Sequence, residues 1–355
     1  DRSVSRGLGD VYKRQMFLDT SINMAMQPFK MMVGDMVNEK QKGLAYSIQS
    51  FLCNAGSLVG FLFPFIFTWI GISNIAPQGV VPDSVIYSFY IGAAILILCV
   101  IYTTVKVKEM PPAEYAEYHG ITEEEKKEKI NMVKLLVKAP KAFWTVGLVQ
   151  FFCWFAFMFM WTYTNGSVAA NVFDAPTVET VVNGASKIVL DTKSIQYQNA
   201  ADWVGVLFAV QAIGSVLWAV CIPMFKNRKL IYSLSLVLGG IGFISTYFVH
   251  NQYVLFISFL LIGCAWAAML ALPFTILTNA LSGGHMGTYL GLFNGTICIP
   301  QIVAATLGGS ILALFTPKGM LPPEINMLVM AGVMLIIGAV CVYLIKETKG
   351  EQAKA

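Results

Sequence analysis

Nine long apolar segments dominate this sequence and limit the folds that the chain can adopt. Each segment has about 20 residues with few charges, which is the length that an α-helix needs to cross the hydrocarbon core of a bilayer. Of the 355 residues, 56% are hydrophobic and only 12% are charged, whereas about a quarter are charged in ordinary soluble domains. The sequence therefore predicts an all-α, polytopic membrane protein, with spans at residues 16–37, 43–71, 84–105, 143–164, 203–225, 230–249, 253–281, 286–315 and 325–345.

The composition argues against nucleic-acid binding, metal chemistry and catalysis. The net charge is only +4, and no basic stripe interleaved with aromatic residues occurs. His119, His250 and His285 are dispersed, and no HExxH motif or phosphate-binding loop is present. The seven cysteines lie inside apolar runs, so we expect small core residues and no disulfides. We expect no cofactor, no metal site and no enzymatic activity, because an intramembrane enzyme needs two or more convergent catalytic groups.

The loops between the spans alternate in charge, and this alternation orients the chain. Lysine and arginine concentrate in cytoplasmic loops. One side holds only Lys187, Lys193 and Lys318. The other side holds Lys40, Lys42, Lys106, Lys108, Lys126, Lys127, Lys129, Lys134, Lys138, Lys141, Lys226, Arg228, Lys229, Lys346, Lys349 and Lys354. The second side is therefore predicted to be cytoplasmic, with the C-terminus there, and we expect a bacterial cytoplasmic (inner) membrane.

Residues 1–15 differ from the rest of the chain. They carry four basic residues and no apolar stretch, so they do not form a signal peptide. The stretch SRGLGDVYKRQ resembles a translated sequencing-library adapter, and we interpret residues 1–15 as a non-native leader. Gly7-Leu8-Gly9-Asp10 matches the GxGD pattern of intramembrane aspartyl proteases, but it lies outside any apolar span, so the match is treated as false.

Two pairs of spans share one pattern. Residues 27–56 and 272–301 both place Pro-Phe in a helix, then a short polar turn, then Gly and Tyr opening the next helix, then an amide residue. Pro28 corresponds to Pro273, which is 245 residues later. Two six-helix halves would give this spacing. On this interpretation three helices are missing in front of residue 16.

Five stretches carry a family resemblance: FLDTSINMAMQPFKMMVGDMV, KGLAYSIQS, QFFCWFAFMFMWTYT, ADWVGVLFAV and MGTYLGLFNGTICIPQIVAA. They resemble the major facilitator superfamily, specifically its glycoside-pentoside-hexuronide group and the sucrose-transporter-like branch, over roughly residues 16–345. The resemblance implies twelve helices in two bundles and proton-coupled uptake of a disaccharide or other glycoside by alternating access. The same fold also suits a carrier of another solute, a sodium-coupled carrier, or a sugar sensor that does not transport.

The resemblance sets the expected domains. It implies a major facilitator fold lacking the first three of twelve transmembrane helices, with nine present. The expected units are a leader at 1–15, a partial N-terminal bundle of helices 4–6 at 16–105, a cytoplasmic linker at 106–142, a C-terminal six-helix bundle at 143–345 and a cytoplasmic tail at 346–355. The second half of the linker is amphipathic, so it either lies on the membrane surface or forms a solvated helix.

Asp19 is the most informative single residue. Asp19, Asn23 and Gln27 recur every four residues and form one polar stripe on an apolar helix. Intramembrane carboxylates are costly and usually belong to an ion path or a polar pair. We expect Asp19 to carry the coupling proton, with Asn23 and Gln27 bonding sugar hydroxyls or positioning Asp19; a polar seam between helices is the alternative. The family's LDxxxN pattern, matched by Leu18, Asp19 and Asn23, favours the first.

Further polar and aromatic residues complete the predicted site. Lys30 and Asp35, lower on the same helix, are expected to act in a cytoplasmic gate. A sugar ring stacks on aromatic planes and is bonded by amides at its edge, so the expected substrate ligands are Gln150, Trp154, Trp161, Gln211, Asn294 and Gln301. Trp161 equally suits the aromatic belt at the membrane surface.

Overall fold

The computed structural model of the chain describes residues 2–38, 41–72, 83–108, 132–182, 185–281, 286–317 and 319–345, with the single positions 111, 114 and 117. Most of this part is helical. The helices are α1 (Arg2–Met36), α2 (Lys42–Trp69), α3 (Asp83–Lys106), α4 (Met132–Val137), α5 (Lys141–Asn171), α6 (Ile195–Cys221), α7 (Arg228–Ser245), α8 (Leu255–Ala280), α9 (Met286–Phe293), α10 (Gly295–Phe315) and α11 (Ile325–Cys341). Short 3-10 turns extend α6 and α11.

Seven helices of the described part are long and apolar enough to cross a membrane. They agree with seven of the nine predicted spans and cover Asp83–Lys106, Lys141–Asn171, Ile195–Met224, Arg228–Ser245, Leu255–Ala280, Gly287–Phe315 and Ile325–Leu344. The other two predicted spans, 16–37 and 43–71, fall on α1 and α2. Because α1 begins at Arg2, one helix runs through the expected leader, whose foreign origin stays a prediction.

A β-hairpin interrupts the helical pattern after α5. Strand β1 (Thr177–Val182) pairs antiparallel with β2 (Ala185–Leu190), with Thr177 opposite Leu190. The spans predicted from apolar length leave this region as a loop, so the hairpin is an addition to the expected all-α structure. Its strands are rich in valine, isoleucine and threonine, which favour pleated backbone, and Asn-Gly is a strong hairpin turn signal in the intervening sequence.

The six spans from α5 onward pack into one bundle. Helix α8 contacts α6 and α7, α11 contacts α5 and α7, and α10 packs on α5. Large aromatic side chains fill the interior, and Phe143, Phe157, Tyr232, Phe243 and Phe259 are at most 2% exposed. Helices α6 and α8 cross closely at Gly214, where an added Cβ would lie 2.5 Å from the carbonyl oxygen of Leu260. Small residues at such crossings let membrane helices approach each other.

Helix α2 joins this bundle at α6 and α8. Tyr46 is 1% exposed and stacks on Phe274 of α8 with 6.1 Å between ring centroids. Ser50 donates a hydrogen bond of 3.3 Å to the carbonyl of Ala267. At the same end, Thr275 and Arg228 bound the space beside Gly43. We call this end, where α2 and α7 begin and α8 ends, the lysine-rich end.

The opposite end carries the hairpin, and we call it the hairpin end. There the last turn of α5, the last turn of α7 and the first residues of α8 and α11 enclose a small crevice, lined in part by Asn171, Thr246, Leu255 and Ile325. Helices α1 and α3, in contrast, expose long apolar faces. In α3 only Ser84 is buried among the described side chains. The apolar surface of α3 is what a lipid-facing or helix-facing position requires.

The cysteines are free, as expected, but they are not all core residues. Cys153 and Cys264 are buried, whereas Cys53 and Cys99 are exposed on α2 and α3. The prediction of a core position is therefore wrong for these two. An apolar run does not distinguish a core-facing side chain from one on the outer surface of a membrane helix, because the solvent there is also apolar.

Candidate functional site

An open cleft of about 740 Å³ lies between α1 and the junction of α9 with α10. It contains three of the residues that the sequence predicts: Asp19 and Asn23 on one wall and Asn294 on the other. The complete lining is Gln15, Met16, Asp19, Thr20, Asn23, Met24, Asn294 and Cys298. Asp19 and Asn294 lie far apart in the sequence, so the fold brings the first predicted span and the eighth predicted span to one site.

Asp19 is the charged residue of this cleft. The side-chain amide of Gln15 donates to both carboxylate oxygens, at 3.1 and 3.2 Å. One turn further on, the amide of Asn23 donates to the backbone carbonyl of Asp19 at 2.8 Å. The Asp19 side chain is exposed to the cleft. Among the described residues, the side-chain hydrogen bonds to the Asp19 carboxylate come from Gln15, which belongs to the expected non-native leader.

Asn294 lies where α9 meets α10, and the helical path continues through it. Its backbone is helical and the N–H of Cys298 donates to its carbonyl at 3.1 Å, so Gly287–Phe315 forms one span. The backbone N–H of Asn294 is shared between the carbonyls of Leu290 and Gly291, both at 3.2 Å. Its side-chain amide donates to the sulfur of Cys298 at 3.8 Å, while its amide oxygen is buried and has no hydrogen-bond partner. An unpartnered buried acceptor next to a cleft is suited to receive a hydroxyl donor from a ligand.

A second feature is an aromatic cluster formed by α5 and α8. Trp266 of α8 contacts Trp154 and Trp161 edge-on, each with 5.7 Å between ring centroids. The ring centroids of Phe157 and Trp266 are 4.8 Å apart. The indole nitrogen of Trp154 is buried and has no acceptor. Trp161 is 43% exposed and contacts the other rings of this cluster, and both its predicted role as a substrate ligand and the alternative of an aromatic belt stay predictions.

Trp266 is not among the residues that the sequence predicts. A signal for it exists, because Trp266 lies near the middle of α8 (Leu255–Ala280) and seven positions before Pro273. Tryptophan in membrane helices concentrates at the two interfaces, so one at mid-span calls for a specific explanation. The indole of Trp266 contacts both predicted tryptophans, which also contact each other with 6.4 Å between ring centroids.

The remaining predicted ligands are not gathered at the cleft. Gln150 is fully buried, and its amide donates to the backbone carbonyl of Met269 at 3.0 Å. Gln211 is 6% exposed within α6, and Gln301 is half-buried on α10. The side chains of Gln27, Lys30 and Asp35 lie outside the described residues, so their predicted roles stay predictions. The described part of the chain also contains no group of three or more His, Cys, Asp or Glu residues that could hold a metal ion.

Glu324 is a second acidic residue that the sequence does not single out. It directly precedes α11 at the hairpin end, just outside the span Ile325–Leu344. Its carboxyl occupies the space that a side chain at Gly166 would need. Burial there raises the pKa of Glu324 from its usual value of 4.5 to about 7. The pattern of apolar spans in the sequence does not reveal this residue, because the burial of Glu324 depends on Gly166, which lies on a different helix, α5.

Comparison with known proteins gives a family and a fold. The model of the Major Facilitator Superfamily matches residues 21–190 and 173–355. The crystal structure of a major facilitator superfamily transporter, FucP, in the outward conformation is similar to the chain with a TM-score of 0.61. The sequences are 13% identical, and the match covers 89% of this chain and 72% of that chain, so it shows the fold alone. No curated protein matches the sequence.

Proposed function

Since this chain belongs to the Major Facilitator Superfamily, we propose that it is a secondary active transporter that takes up a disaccharide or another glycoside together with protons. The family and the fold make it a non-enzymatic membrane transporter, and the expected major facilitator fold is confirmed. The finer proposal depends mainly on one observation. Asp19 lies across an open cleft from Asn294, whose amide oxygen is buried and unpartnered.

Asp19 is proposed to bind the coupling proton. A carboxylate in a membrane protein interior is costly when charged, and protonation removes that cost. Asp19 and the proposed substrate ligands Asn23 and Asn294 line the same cleft, so proton uptake and substrate binding are proposed to be linked there.

The surroundings of the cleft favour a neutral, hydroxylated substrate. Among the described lining residues Asp19 is the charged one, and the others are amides, a hydroxyl, a thiol and two methionines. The aromatic cluster of Trp154, Trp161 and Trp266, on α5 and α8, is not part of the described lining of this cleft, and we propose that a sugar ring also contacts its exposed member, Trp161. Sugars present both an apolar ring face and hydroxyl edges, which match these two kinds of contact. Asn23 and Asn294 are the proposed ligands of the hydroxyls.

The proposed orientation of the chain in the membrane is based on its basic residues. Lys42, Lys141 and Arg228 lie at the lysine-rich end, whereas Lys187 lies in β2 of the hairpin and Lys193 follows it. We place the lysine-rich end and the C-terminus in the cytoplasm, in a bacterial inner membrane. We also propose that the exposed faces of α1 and α3 pack against three further helices of an N-terminal bundle. The near-complete exposure of α3 supports this, since α5 and α8 are mostly buried by comparison.

Uptake into proteoliposomes tests the proposal. Labelled maltose or sucrose is offered to vesicles under an inward proton gradient, an inward sodium gradient, or no gradient. Accumulation that follows the proton gradient supports the proposal. Accumulation driven by sodium would reassign the coupling ion. Tight sugar binding without flux in any of the three conditions would instead indicate a sensor on a transporter scaffold.

A further inference from the structure

Helix α8 contains a proline in its interior. Pro273 lies within Leu255–Ala280, and proline has no backbone N–H. The carbonyl four residues earlier, that of Met269, therefore loses its partner within the helix. Met269 is fully buried. A carbonyl without a donor in a membrane interior costs several kcal/mol by the general rule for unsatisfied backbone groups.

A side chain from another helix replaces the missing donor. The amide nitrogen of Gln150, on α5, lies 3.0 Å from the carbonyl oxygen of Met269. Gln150 is itself fully buried, and its amide oxygen has no partner. The hydrogen bond joins α5 to α8 at the position where α8 cannot bond to itself. The side-chain amide of Gln150 therefore donates to the carbonyl that Pro273 leaves without a donor. This is the same N–H group that would otherwise donate to a sugar hydroxyl.

The break separates two functional parts of α8. Before it lies Trp266, which contacts the two tryptophans of α5. Immediately after it lies Phe274, which stacks on Tyr46 of α2, and Thr275 borders Gly43 of the same helix. The first half of α8 thus contributes to the aromatic cluster and accepts a hydrogen bond from Ser50 of α2 at the carbonyl of Ala267, and the second half contacts Tyr46 and Gly43 of α2 at the lysine-rich end. Helix α2 therefore contacts α8 on both sides of the break.

We propose that Gln150 is a positioning residue of the transport cycle, which fixes the Pro273 break of α8 through the carbonyl of Met269. In this role Gln150 sets the angle between the half of α8 that carries Trp266 and the half that carries Phe274, which stacks on Tyr46 of α2. The inference replaces the expected role of Gln150 as a substrate ligand. Only the transport measurements that test this inference rest on the proposed function. The Tm measurements need no substrate and test it independently.

A double-mutant cycle tests the proposal. Gln150→Met keeps the size of the side chain and removes the donor, whereas Pro273→Ala restores an N–H to the helix. In the Pro273 background Gln150→Met is expected to lower the Tm by about 2–4 °C. In the Pro273→Ala background the same change is expected to leave the Tm within about 1 °C, because the helix then bonds Met269 itself. Ser167→Ala, which removes a buried bond inside α5, is the matched control and should cost the same in both backgrounds.

Transport kinetics provide the second readout. Gln150→Met is expected to lower the maximal uptake rate several-fold with KM changed less than about twofold, because substrate contacts are kept. A tenfold rise in KM that persists in the Pro273→Ala background would identify Gln150 as a substrate ligand and overturn the proposal. Equal Tm losses in both backgrounds would also overturn it. If Gln150→Met does not fold, the double variant should fold, and failure of both contradicts the proposal. Absence of transport in the wild-type protein would refute the proposed function while the Tm cycle still decides this inference.

Discussion

Glu324 should make the stability of the protein depend on pH. The carboxyl is half-buried at the start of α11, against Gly166 of α5, and burial raises its pKa from 4.5 to about 7. At about 1.4 kcal/mol for each pKa unit, the folded state favours the protonated form by about 3 kcal/mol. Water reaching the half-buried carboxyl reduces this, so we expect about 2 kcal/mol between pH 5 and pH 8.

The sign of the effect follows from a pKa that is raised in the folded state. The stability contribution is fully present below pH 4.5, where the carboxyl is protonated in both states. It is lost as the pH rises through about 7, because the folded protein then contains a buried carboxylate. Glu324→Gln is neutral at every pH. It should therefore match the wild type at pH 5 and exceed its Tm by a few degrees at pH 8.

Thermal unfolding followed by tryptophan fluorescence in detergent, at pH 5, 6, 7 and 8, measures this effect. Glu179→Gln, in the exposed strand β1, is the control and should follow the wild type throughout. If the Tm of Glu324→Gln falls with pH as steeply as that of the wild type, the reasoning is refuted. A lower Tm for the variant at pH 8 would show instead that the carboxylate is stabilised by favourable contacts.

Two further changes test the packing and the aromatic cluster. Gly214→Ala should destabilise the protein by about 1–3 kcal/mol, because the added Cβ meets the Leu260 backbone. Gly205→Ala, on the same helix with open space around it, is the control and should be neutral or stabilising by up to about 1 kcal/mol. Equal Tm values for the two variants would contradict the close crossing of α6 and α8. Trp266→Phe should weaken sugar binding about 2–10-fold in a fluorescence titration. Trp144→Phe, at an exposed position, is the control and should leave the affinity unchanged. Unaltered affinity in Trp266→Phe would show that the aromatic cluster is not part of the binding site.

Much of the fold can be predicted from apolar length. A helix is the structure that satisfies its own backbone in lipid, so each apolar run of about 20 residues predicts a span, and seven such spans agree with the described helices. The hairpin after α5 is missed by this criterion because its signal is local turn chemistry and β-branched composition.

The site is less predictable than the fold. A polar stripe predicts that Asp19 and Asn23 face a cavity, and both line the cleft. Gln150 shows the limit of the same logic, since a buried amide in a membrane helix must be satisfied by something, but the sequence does not say whether by a ligand or by a backbone carbonyl. Its partner, the carbonyl of Met269, lacks a backbone donor because Pro273, four residues later on the same helix, has no N–H. Such pairings depend on which helices are neighbours in space.

The central claim is that Asp19 carries the coupling proton, and sugar-induced proton movement tests it most directly. Vesicles containing a pH-sensitive dye and the reconstituted protein are exposed to sugar without any imposed gradient. The wild type should acidify the interior as sugar enters. Asp19→Asn mimics the protonated carboxyl, so it should exchange labelled for unlabelled sugar without acidification, while the exposed control Asp202→Asn should behave as wild type. Acidification that persists in Asp19→Asn at the wild-type proton-to-sugar ratio would contradict the account.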